Sequence, residues 1–346
     1  MLLQNKERQE VAKIGKQELI DRLLEKFPIE QATTTLGPGH DAAVISPTEP
    51  HWLTASKLMI ENIHFDLTYF PLKHLGYKAV AATATDILAM NALPSQLVLN
   101  LAVSNRFSIE AIEDFMAGVS LCCQRYHIDL VGFDITTSQL GLIISTQVMG
   151  QASDKQLVKR TTVNENDLIC VSGDLAAAYT GLLLLEREKK VFEVNPDMQP
   201  DFAGYEYVLE RQLKPEPRTD IVEALRKEGV VPTGMIAVNN GLAAALLHLC
   251  RASHKGADVY ENKLPIDVTT FNTLKDLKIV AASIALNGGE DYELLFTIAQ
   301  KDYEKVQKMA NVTVVGFVKE EVAGVHLITT DDRQIALKAQ EFSKSE

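Results

Sequence analysis

The sequence has no long hydrophobic run. Nowhere in its 346 residues do about 18 or more apolar residues follow one another, which is the length that a membrane-spanning helix requires. The first ten residues, Met1–Glu10, have no apolar core behind a basic end, so they do not resemble a secretory signal. We therefore expect a protein that does not insert into membranes and that stays in the cytoplasm.

Basic charge is also in short supply. The 46 Asp and Glu residues outnumber the 34 Lys and Arg residues, which gives a formal net charge of −12. No local basic patch reverses this balance, so the mean electrostatic field repels nucleic acids and anionic membrane surfaces. The composition predicts that neither nucleic acid nor a membrane is a partner.

Cysteine is scarce as well. The spacing of Cys122, Cys123, Cys170 and Cys250 matches neither zinc-ligand nor thioredoxin-like patterns. One adjacent pair and two isolated residues indicate buried thiols in a reducing compartment.

Common nucleotide-binding motifs are missing. No Gly-x4-Gly-Lys-Ser/Thr loop occurs, and the signature set of protein kinases is absent. Gly37–Ala42 superficially matches the dinucleotide fingerprint, but that loop must follow a strand and open a helix, whereas this segment precedes a predicted strand. Nucleotide chemistry in this chain is therefore predicted to be neither of the P-loop nor of the Rossmann kind.

The length and composition of the chain predict two globular domains. Apolar residues make up 46% and charged residues 23% of the sequence, and single hydrophobic cores stop growing at about 250–300 residues. The polar stretch Gln151–Asp167 is the expected boundary. We predict an α/β domain over residues 1–152 and an α+β domain over residues 153–346.

Hydrophobic periodicity predicts the main elements. In the first half we expect helices at 19–27, 74–92 and 109–126, and strands at 42–45, 52–59, 96–103, 130–137 and 142–149, the last two as a strand pair. In the second half we expect helices at 175–185, 221–227 and 242–251, and strands at 168–172, 294–297, 312–318 and 325–329. Four prolines, at 196, 200, 215 and 217, mark a long connection. The alanine-rich helix at 74–92 predicts that another element packs closely against it.

Six short polar or acidic segments occur in a characteristic order: Gly39–Val44, Glu61–Phe65, Gly76–Ala79, Asp86–Ala92, Asn240–Leu242 and Asn287–Phe296. The ordered set, which ends in Gly-Gly-Glu-Asp-Tyr-Glu-Leu-Leu-Phe, resembles the thiamine-monophosphate kinases. The resemblance spans the chain from about residue 15 to residue 318.

This resemblance implies a fold, a reaction and an assembly. The fold is that of the superfamily of aminoimidazole-ribonucleotide synthetase and selenophosphate synthetase, with a first α/β domain that pairs in a homodimer and a second α+β domain. The nucleotide site lies in the first domain. The reaction is transfer of the γ-phosphoryl group of ATP to thiamine monophosphate, which gives thiamine diphosphate.

The resemblance also implies a set of acids that bind Mg²⁺, because magnesium ions held by carboxylates screen the repulsion between two approaching polyphosphates. Asp41, Asp86 and Asp134 are the matching acids, with Asp86 and Asp134 as the catalytic candidates. At the other matching positions the family acids are replaced, by His40, Lys57, Ala237 and Asn240.

These replacements differ in how strongly they weaken Mg²⁺ binding. Asn240 keeps a carbonyl oxygen, His40 favours softer metals than magnesium, and Ala237 supplies no ligand. Lys57 is the gravest change, because an ammonium near a metal cation costs about 4 kcal/mol at an effective dielectric constant of about 20. The residues that the resemblance assigns to nucleotide or substrate binding are His64, Asp66, Lys57, Arg160, Asp291 and Tyr292.

Each of these patterns also has a plain structural interpretation. Asn239 or Asn240 is suited to cap the helix that follows, and Asp174 is suited to the first turn of another. Asn287-Gly-Gly is typical of a tight turn. His64 is typical of a half-buried histidine whose hydrogen bonds are satisfied, and Asp86 of a solvated helix face.

Two functions remain open from the sequence. One is a working or weakened thiamine-monophosphate kinase, in which Asp41, Asp86 and Asp134 still hold magnesium. The alternative is a catalytically inactive paralogue that binds a nucleotide or another phosphate ligand, with Lys57 replacing a lost metal charge. A purely structural dimer module is disfavoured, because such a protein would have no evident need of the acids in Glu290–Phe296.

Overall fold

The computed structural model describes residues 15–197 and 200–342, and these form two compact units. The first unit takes the described residues up to Ala84 together with Pro94–Gln151, and the second takes Thr85–Leu93 and the described residues from Ala152 onward. The last turn of one helix is thus counted with the second unit. The domain boundary at residue 152 stays a prediction, since compact packing does not show that either unit folds alone.

The first unit is built around a four-stranded sheet in the order β3-β6-β4-β5. A separate two-stranded antiparallel pair, β1 with β2, precedes it. The elements along the chain are α1 (Lys16–Leu24), β1 (Thr34–Leu36), β2 (Val44–Ile45), β3 (His51–Ile60), α2 (Leu72–Leu88), β4 (Leu93–Val103), α3 (Ile109–Tyr126), β5 (Asp129–Thr137) and β6 (Ile143–Ala152).

The strands β5 and β6 exist as predicted, but they are not neighbours. β5 pairs in parallel with β4, with Asn100 opposite Asp134, and β6 lies on the other side of β4. Parallel strands need a crossover connection, which α3 provides between β4 and β5. The prediction of a β5–β6 pair was therefore wrong, because a short connection along the chain does not decide which strand edges meet.

Helices α2 and α3 pack backbone against backbone. A Cβ atom at Gly118 would lie 1.8 Å from the carbonyl oxygen of Lys73, and one at Gly76 would lie 2.0 Å from the carbonyl oxygen of Phe115. Two glycines therefore permit the contact, and buried alanines extend it along α2. The predicted close packing against this helix is confirmed.

The second unit contains a seven-stranded sheet in the order β13-β12-β9-β11-β7-β10-β8. All of its pairings are antiparallel except that of β12 with β9. Its strands are β7 (Leu168–Ser172), β8 (Gly234–Val238), β9 (Lys255–Tyr260), β10 (Glu293–Ile298), β11 (Val312–Glu320), β12 (Val325–Ile328) and β13 (Gln334–Ala336), and its helices are α4 (Ala177–Val194), α5 (Glu206–Leu213), α6 (Thr219–Lys227), α7 (Leu242–Ser253), α8 (Val268–Asp276), α9 (Ala281–Asn287) and α10 (Tyr303–Val306).

Both faces of this sheet are covered. Along β10, Leu294 and Phe296 belong to a core cluster that includes residues of α6, whereas Leu295 belongs to a second cluster that includes residues of α7, α8 and α9. Successive side chains of a strand point to opposite faces, so a strand covered on both faces is apolar throughout. All six residues of Glu293–Ile298 are buried, and the four apolar ones fit this pattern, whereas Glu293 and Thr297 are buried polar exceptions.

Helix α5 lies within the long connection that the four prolines mark. Residues Glu206–Leu213 are helical, and this helix was not among the predicted elements. The prolines flank this helix and do not interrupt it, which is compatible with its formation. Strands β8 and β9 and helices α8 and α9 were also missing from the predicted elements. Among the described residues, no helix is long and apolar enough to cross a membrane.

We expect Gly118→Ala to lower the free energy of unfolding by about 2 kcal/mol, because the new methyl group forces α2 and α3 apart. Helix propensity alone would change stability in the opposite direction, since alanine is favoured over glycine by about 1 kcal/mol in a helix. Chemical unfolding of the full chain measures the difference. Asp114→Ala, at an exposed position of the same helix, is the control and should change stability by no more than about 0.5 kcal/mol. A stabilised Gly118→Ala protein would contradict the close contact.

Candidate functional site

In the first unit the candidate ligands lie on separate elements. His40 and Asp41 are exposed on the segment between β1 and β2, Lys57 is half-buried on β3, and Asp134 is exposed on β5. Their positions follow from local structure, since β1 and β2 form a short antiparallel pair whose connection carries the first two residues. Solvent can reach these side chains, and their positions are explained by the separate elements that carry them, without a shared ligand.

Asp134 already has a cationic partner. The Nζ atom of Lys16, at the start of α1, lies 2.6 Å from Oδ1 of Asp134, and the hydrogen bond from Lys16 holds the pKa of this carboxyl below its ordinary value. Both side chains are more than half exposed, so the pair contributes only about 0–1 kcal/mol to stability. An ammonium group thus lies where the sequence resemblance implies a metal ion.

The remaining first-unit candidates make local hydrogen bonds. Nδ1 of His64 accepts the N–H of Ile60 at 3.1 Å, and Oδ1 of Asp66 accepts the N–H of Thr68 at 2.8 Å. His64 is exposed rather than half-buried, so the structural expectation was wrong on its burial, although the ring does have a hydrogen-bond partner. Their roles in binding stay predictions.

Asp86 belongs to the second unit. The neighbouring residues Leu88 and Ala89 are buried in a core cluster of that unit, which fixes the last turn of α2. Nδ2 of Asn239, just after β8, donates to Oδ1 of Asp86 at 3.1 Å. Asn239 therefore does not cap α7. The N-cap of that helix is Gly241, without a side-chain cap, so the capping interpretation of Asn239 and Asn240 was wrong.

The other second-unit positions differ in accessibility. Ala237 is buried within β8, where it pairs with Leu294 of β10, and Asn240 is exposed at the end of the same strand. Arg160 is exposed on a single 3-10 turn, Arg160–Thr162. Arg160 and Asn240 can therefore meet a ligand from solvent, whereas Ala237 offers it no polar atom.

Asp291 is fully buried and acts as the cap of α4. Its carboxylate oxygens accept the N–H groups of Ala176 at 2.9 Å and Ala178 at 3.1 Å, which satisfies donors that the first turn of a helix otherwise leaves free. Asp174, which the sequence suggested for this task, makes no such bond, and its carboxylate accepts the hydroxyl of Tyr207 instead. A nucleotide would reach Asp291 only if this carboxylate left the helix.

Tyr292 lies beside two acids. Its side chain is 7% exposed, and burial, with Glu290 and Asp86 nearby, raises the pKa of its hydroxyl well above the usual value. The second unit therefore brings together Asp86, Asn239, Glu290 and Tyr292. The backbone of Gly288, a few residues before Tyr292, is extended and does not form the tight turn expected for Asn287-Gly-Gly. Asn239 was misassigned in the sequence because a polar residue before a helix is usually a cap.

A buried ionic network lies next to this group. Glu293, fully buried at the start of β10, interacts with Arg211 of α5 at 2.9 Å and with Arg218 at 3.1 Å, and it accepts the hydroxyl of Ser172. Paired charges of this kind are costly to break, because removing one partner leaves an uncompensated buried charge. Nothing in the linear sequence pointed to the two arginines.

The described donors do not fit a resident magnesium cage. Within the described part of either unit, no three His, Cys, Asp or Glu side chains come together in a way that could hold a metal ion. The ammonium of Lys16 pairs with Asp134, and Ala237 supplies no oxygen. Mg²⁺ that is bound mainly by substrate phosphates needs only one or two carboxylates from a protein, and these residues are compatible with that mode alone.

Comparisons with known proteins agree with this architecture. The family model described as AIR synthase related protein, N-terminal domain, matches residues 39–152. The chain is 30% identical to the thiamine-monophosphate kinase of Haemophilus influenzae over 316 residues, covering 89% of this chain and 90% of the relative. It is 28% identical to that of Bacillus subtilis over 326 residues, covering 91% and 95%. The crystal structure of thiamine-monophosphate kinase from Stenotrophomonas maltophilia matches with a TM-score of 0.76 at 29% identity, covering 89% of this chain and 95% of that one.

The fold is that of the AIR synthase related proteins, as the sequence resemblance implied. Within that class, the identity and near-complete coverage show that the chain belongs to the thiamine-monophosphate kinase family.

Asp291 makes stability depend on pH. Burial raises the pKa of this carboxyl to about 7, above the value of about 3.9 in an unfolded chain. The folded state therefore holds the proton more tightly, and the contribution of this group is present in full below about pH 4 and is lost as the pH rises through about 7. Asp291→Asn cannot ionise, so its stability relative to the parent should increase by up to about 4 kcal/mol between these pH values.

Urea unfolding of parent and Asp291→Asn proteins at several pH values between about 4.5 and 8 tests this dependence. Asp114→Asn, at an exposed position of α3, shows what replacement of a surface carboxylate does. A constant difference between the parent and Asp291→Asn across the range would show that Asp291 is ionised throughout.

Proposed function

We propose that the chain transfers the γ-phosphoryl group of ATP to the phosphate of thiamine monophosphate. The terminal P–O bond of ATP breaks, an oxygen of the acceptor phosphate forms the new bond, and ADP and thiamine diphosphate leave. The observation that carries this proposal is the 30% identity to a thiamine-monophosphate kinase over 90% of that enzyme. Phosphoryl transfer of this kind depends mainly on positioning and electrostatic stabilisation.

In the second unit, the residues around Asp86 support the proposed phosphoryl transfer. Asp86 is held by the amide of Asn239 and lies near the buried hydroxyl of Tyr292. A carboxylate fixed by a second side chain is the arrangement that positioning of a reacting group requires. Asp86 and Asp134 are the proposed catalytic residues, with Asp41 as a third acid toward the cation.

The proposed binding residues carry the charges expected for phosphate ligands. Lys57 and Arg160 supply positive charge, and His64, Asp66 and Tyr292 supply polar groups. Asp291 is proposed to contribute indirectly, by holding the start of α4 through its hydrogen bonds. Mg²⁺ enters this scheme bound to the phosphates of ATP, and no step depends on a resident ion.

A second candidate function is binding without turnover, in which the protein holds a nucleotide or another phosphate ligand. Two observations favour it specifically. The methyl side chain of Ala237 has no ligand atom and lies buried in β8, and Lys57 puts a cation at a position where the family has an acid. The two candidates differ in whether thiamine diphosphate forms.

We also propose a homodimer, formed through the first unit. Strand β3 is at the edge of the four-stranded sheet and is ten residues long, and Trp52 and Leu58 on it are 38% and 55% exposed. A long edge strand with apolar side chains invites pairing with another chain. A second copy of this protein is the proposed occupant. The proposed compartment is the cytoplasm, where the four buried thiols stay reduced.

Purified protein supplied with ATP, Mg²⁺ and thiamine monophosphate should form thiamine diphosphate, measured by chromatography. Asp86→Asn should lower kcat by about 10²-fold or more, because one preorganised charge is lost. Asp114→Asn, on an exposed face of α3, should leave the rate unchanged. If calorimetry detects ATP binding but the parent forms no thiamine diphosphate, the binding function replaces the kinase.

Light scattering at micromolar concentration should give the mass of two chains. Leu58→Glu should shift the mass toward one chain, since it adds charge to the proposed β3 edge. Leu121→Glu, at an exposed position of α3, is the matched control and should remain dimeric. A parent protein with the mass of a single chain would rule out the dimer at this concentration.

A further inference from the structure

The segment that carries Tyr292 has an unfavourable backbone conformation. Glu290 and Tyr292, on either side of Asp291, have φ angles of 69° and 52°. Left-handed conformations of non-glycine residues cost about 1–2 kcal/mol each. Residues in such conformations persist only where their surroundings hold them, and they are concentrated at functional sites. We call Glu290–Tyr292 the left-handed segment.

One side of the left-handed segment is held by β8 and α4. The N–H of Glu290 donates to the carbonyl oxygen of Asn239 at 2.8 Å, and the N–H of Tyr292 donates to that of Val238 at 3.1 Å. The carboxylate of Asp291 caps α4. These contacts account for two amide groups and one side chain, but they do not involve the carbonyl oxygen of Asp291.

The other side of the left-handed segment is held by α5. Nη2 of Arg211 donates to the carbonyl oxygen of Asp174 at 3.1 Å, to that of Asp291 at 3.4 Å and to Oε1 of Glu293 at 2.9 Å. Nε2 of the next residue, Gln212, donates to Oε2 of Glu290 at 2.9 Å. Two successive residues of α5 therefore contact both the backbone and a side chain of the left-handed segment.

The position of α5 is itself fixed. A Cβ atom at Gly181 of α4 would lie 2.1 Å from the carbonyl oxygen of Val208 and 2.9 Å from Cβ of Gln212. Helices α4 and α5 therefore meet at backbone distance, and Val208 between them is fully buried. The side chain of Arg211 is 12% exposed, so its guanidinium is held by protein groups rather than by solvent.

We propose that Arg211 is a positioning residue for the phosphoryl transfer, which holds the left-handed segment so that Tyr292 stays beside Asp86. This role rests on the proposed function, because Asp86 is the residue whose surroundings it preserves. Gln212 supports the same segment through Glu290. Arg211 acts only through these residues and is not proposed to touch either substrate.

Arg218 provides a matched control within the same network. It too is a buried arginine that contacts Glu293, at 3.1 Å, but it also pairs with Asp220, at 2.8 Å. Arg218 makes none of the contacts to Asp174 and Asp291 that Arg211 makes. Replacing each arginine by lysine therefore disturbs the same buried carboxylate, but only one replacement releases the left-handed segment.

The first measurement is hydrogen exchange, which does not require activity. In full-length Arg211→Lys protein the amides of Glu290 and Tyr292 should exchange faster than in the parent, because a lysine ammonium cannot reproduce the fixed fork of a guanidinium. In Arg218→Lys protein these amides should exchange at the parental rate. Equal effects of the two substitutions would overturn the proposal.

The second measurement is steady-state kinetics with ATP and thiamine monophosphate. Arg211→Lys should lower kcat by about 10²-fold, as expected when a reacting group moves by about 1 Å, with KM for ATP changed by no more than about threefold. Arg218→Lys should lower thermal stability to a similar degree and keep kcat within about threefold of the parent. A fall in kcat that follows stability in both variants would show a purely structural role.

A further variant covers the case in which Arg211→Lys does not fold. Gln212→Leu keeps the volume of the side chain and removes its hydrogen bond to Glu290, so it should increase exchange at Glu290 and lower kcat. Unchanged exchange and unchanged kcat in Gln212→Leu would overturn the role of α5. Failure of the kinase itself is distinguishable, because the parent would then form no thiamine diphosphate, whereas the exchange result would be unaffected.

Discussion

The carboxylate of Asp291 is the contact on which the second unit depends. It accepts two N–H groups at the start of α4, and a residue two positions before the start of β10 is thereby joined to a helix more than a hundred positions earlier in the chain. Because the backbone on both sides of Asp291 is left-handed, this carboxylate can point toward α4 while its neighbours point elsewhere. The side chain of Tyr292 then lies near those of Glu290 and Asp86.

The two units treat their charged residues differently. In the first unit the candidate acids Asp41 and Asp134 are exposed, and the ion pair between Asp134 and Lys16 adds little stability because water screens it. In the second unit Glu293 and its two arginines are buried, where the attraction is stronger and the loss of one partner is costly. Exposed charges can rearrange to meet a ligand, whereas buried ones maintain a geometry.

The replaced acids also differ in what their surroundings allow. Ala237 lies inside a fully buried strand, so a carboxylate there would need a cation or a donor at the end of β8. Lys57 is half-buried on an edge strand, where a long side chain can reach solvent. Asn239, by contrast, has a defined partner in Asp86. Within three residues, the chain thus has one position with no ligand atom, Ala237, and one whose amide holds Asp86 in place, Asn239.

Much of the fold was predictable from local signals. Helix α3 was predicted over residues 109–126 and is found as Ile109–Tyr126, because its periodicity is clear and Ser108 provides a hydrogen-bonded cap. Helix α5 was not predicted, since the prolines around it indicated a connection and its eight residues form only about two turns. Strand β8 was not predicted either, because a short apolar run does not distinguish a strand from a buried helix.

By itself the sequence determined the family and the long elements, since both are recorded in the order and spacing of nearby residues. Tertiary structure decided the partners of individual side chains. Asn239 and Asp86 are 153 positions apart, and Arg211 and Glu293 are 82 apart. No local pattern specifies such pairs, because they form only when strands and helices pack in one particular arrangement. For the same reason the cap of α4 is Asp291. Asp174, which is adjacent to that helix in the chain, does not cap it.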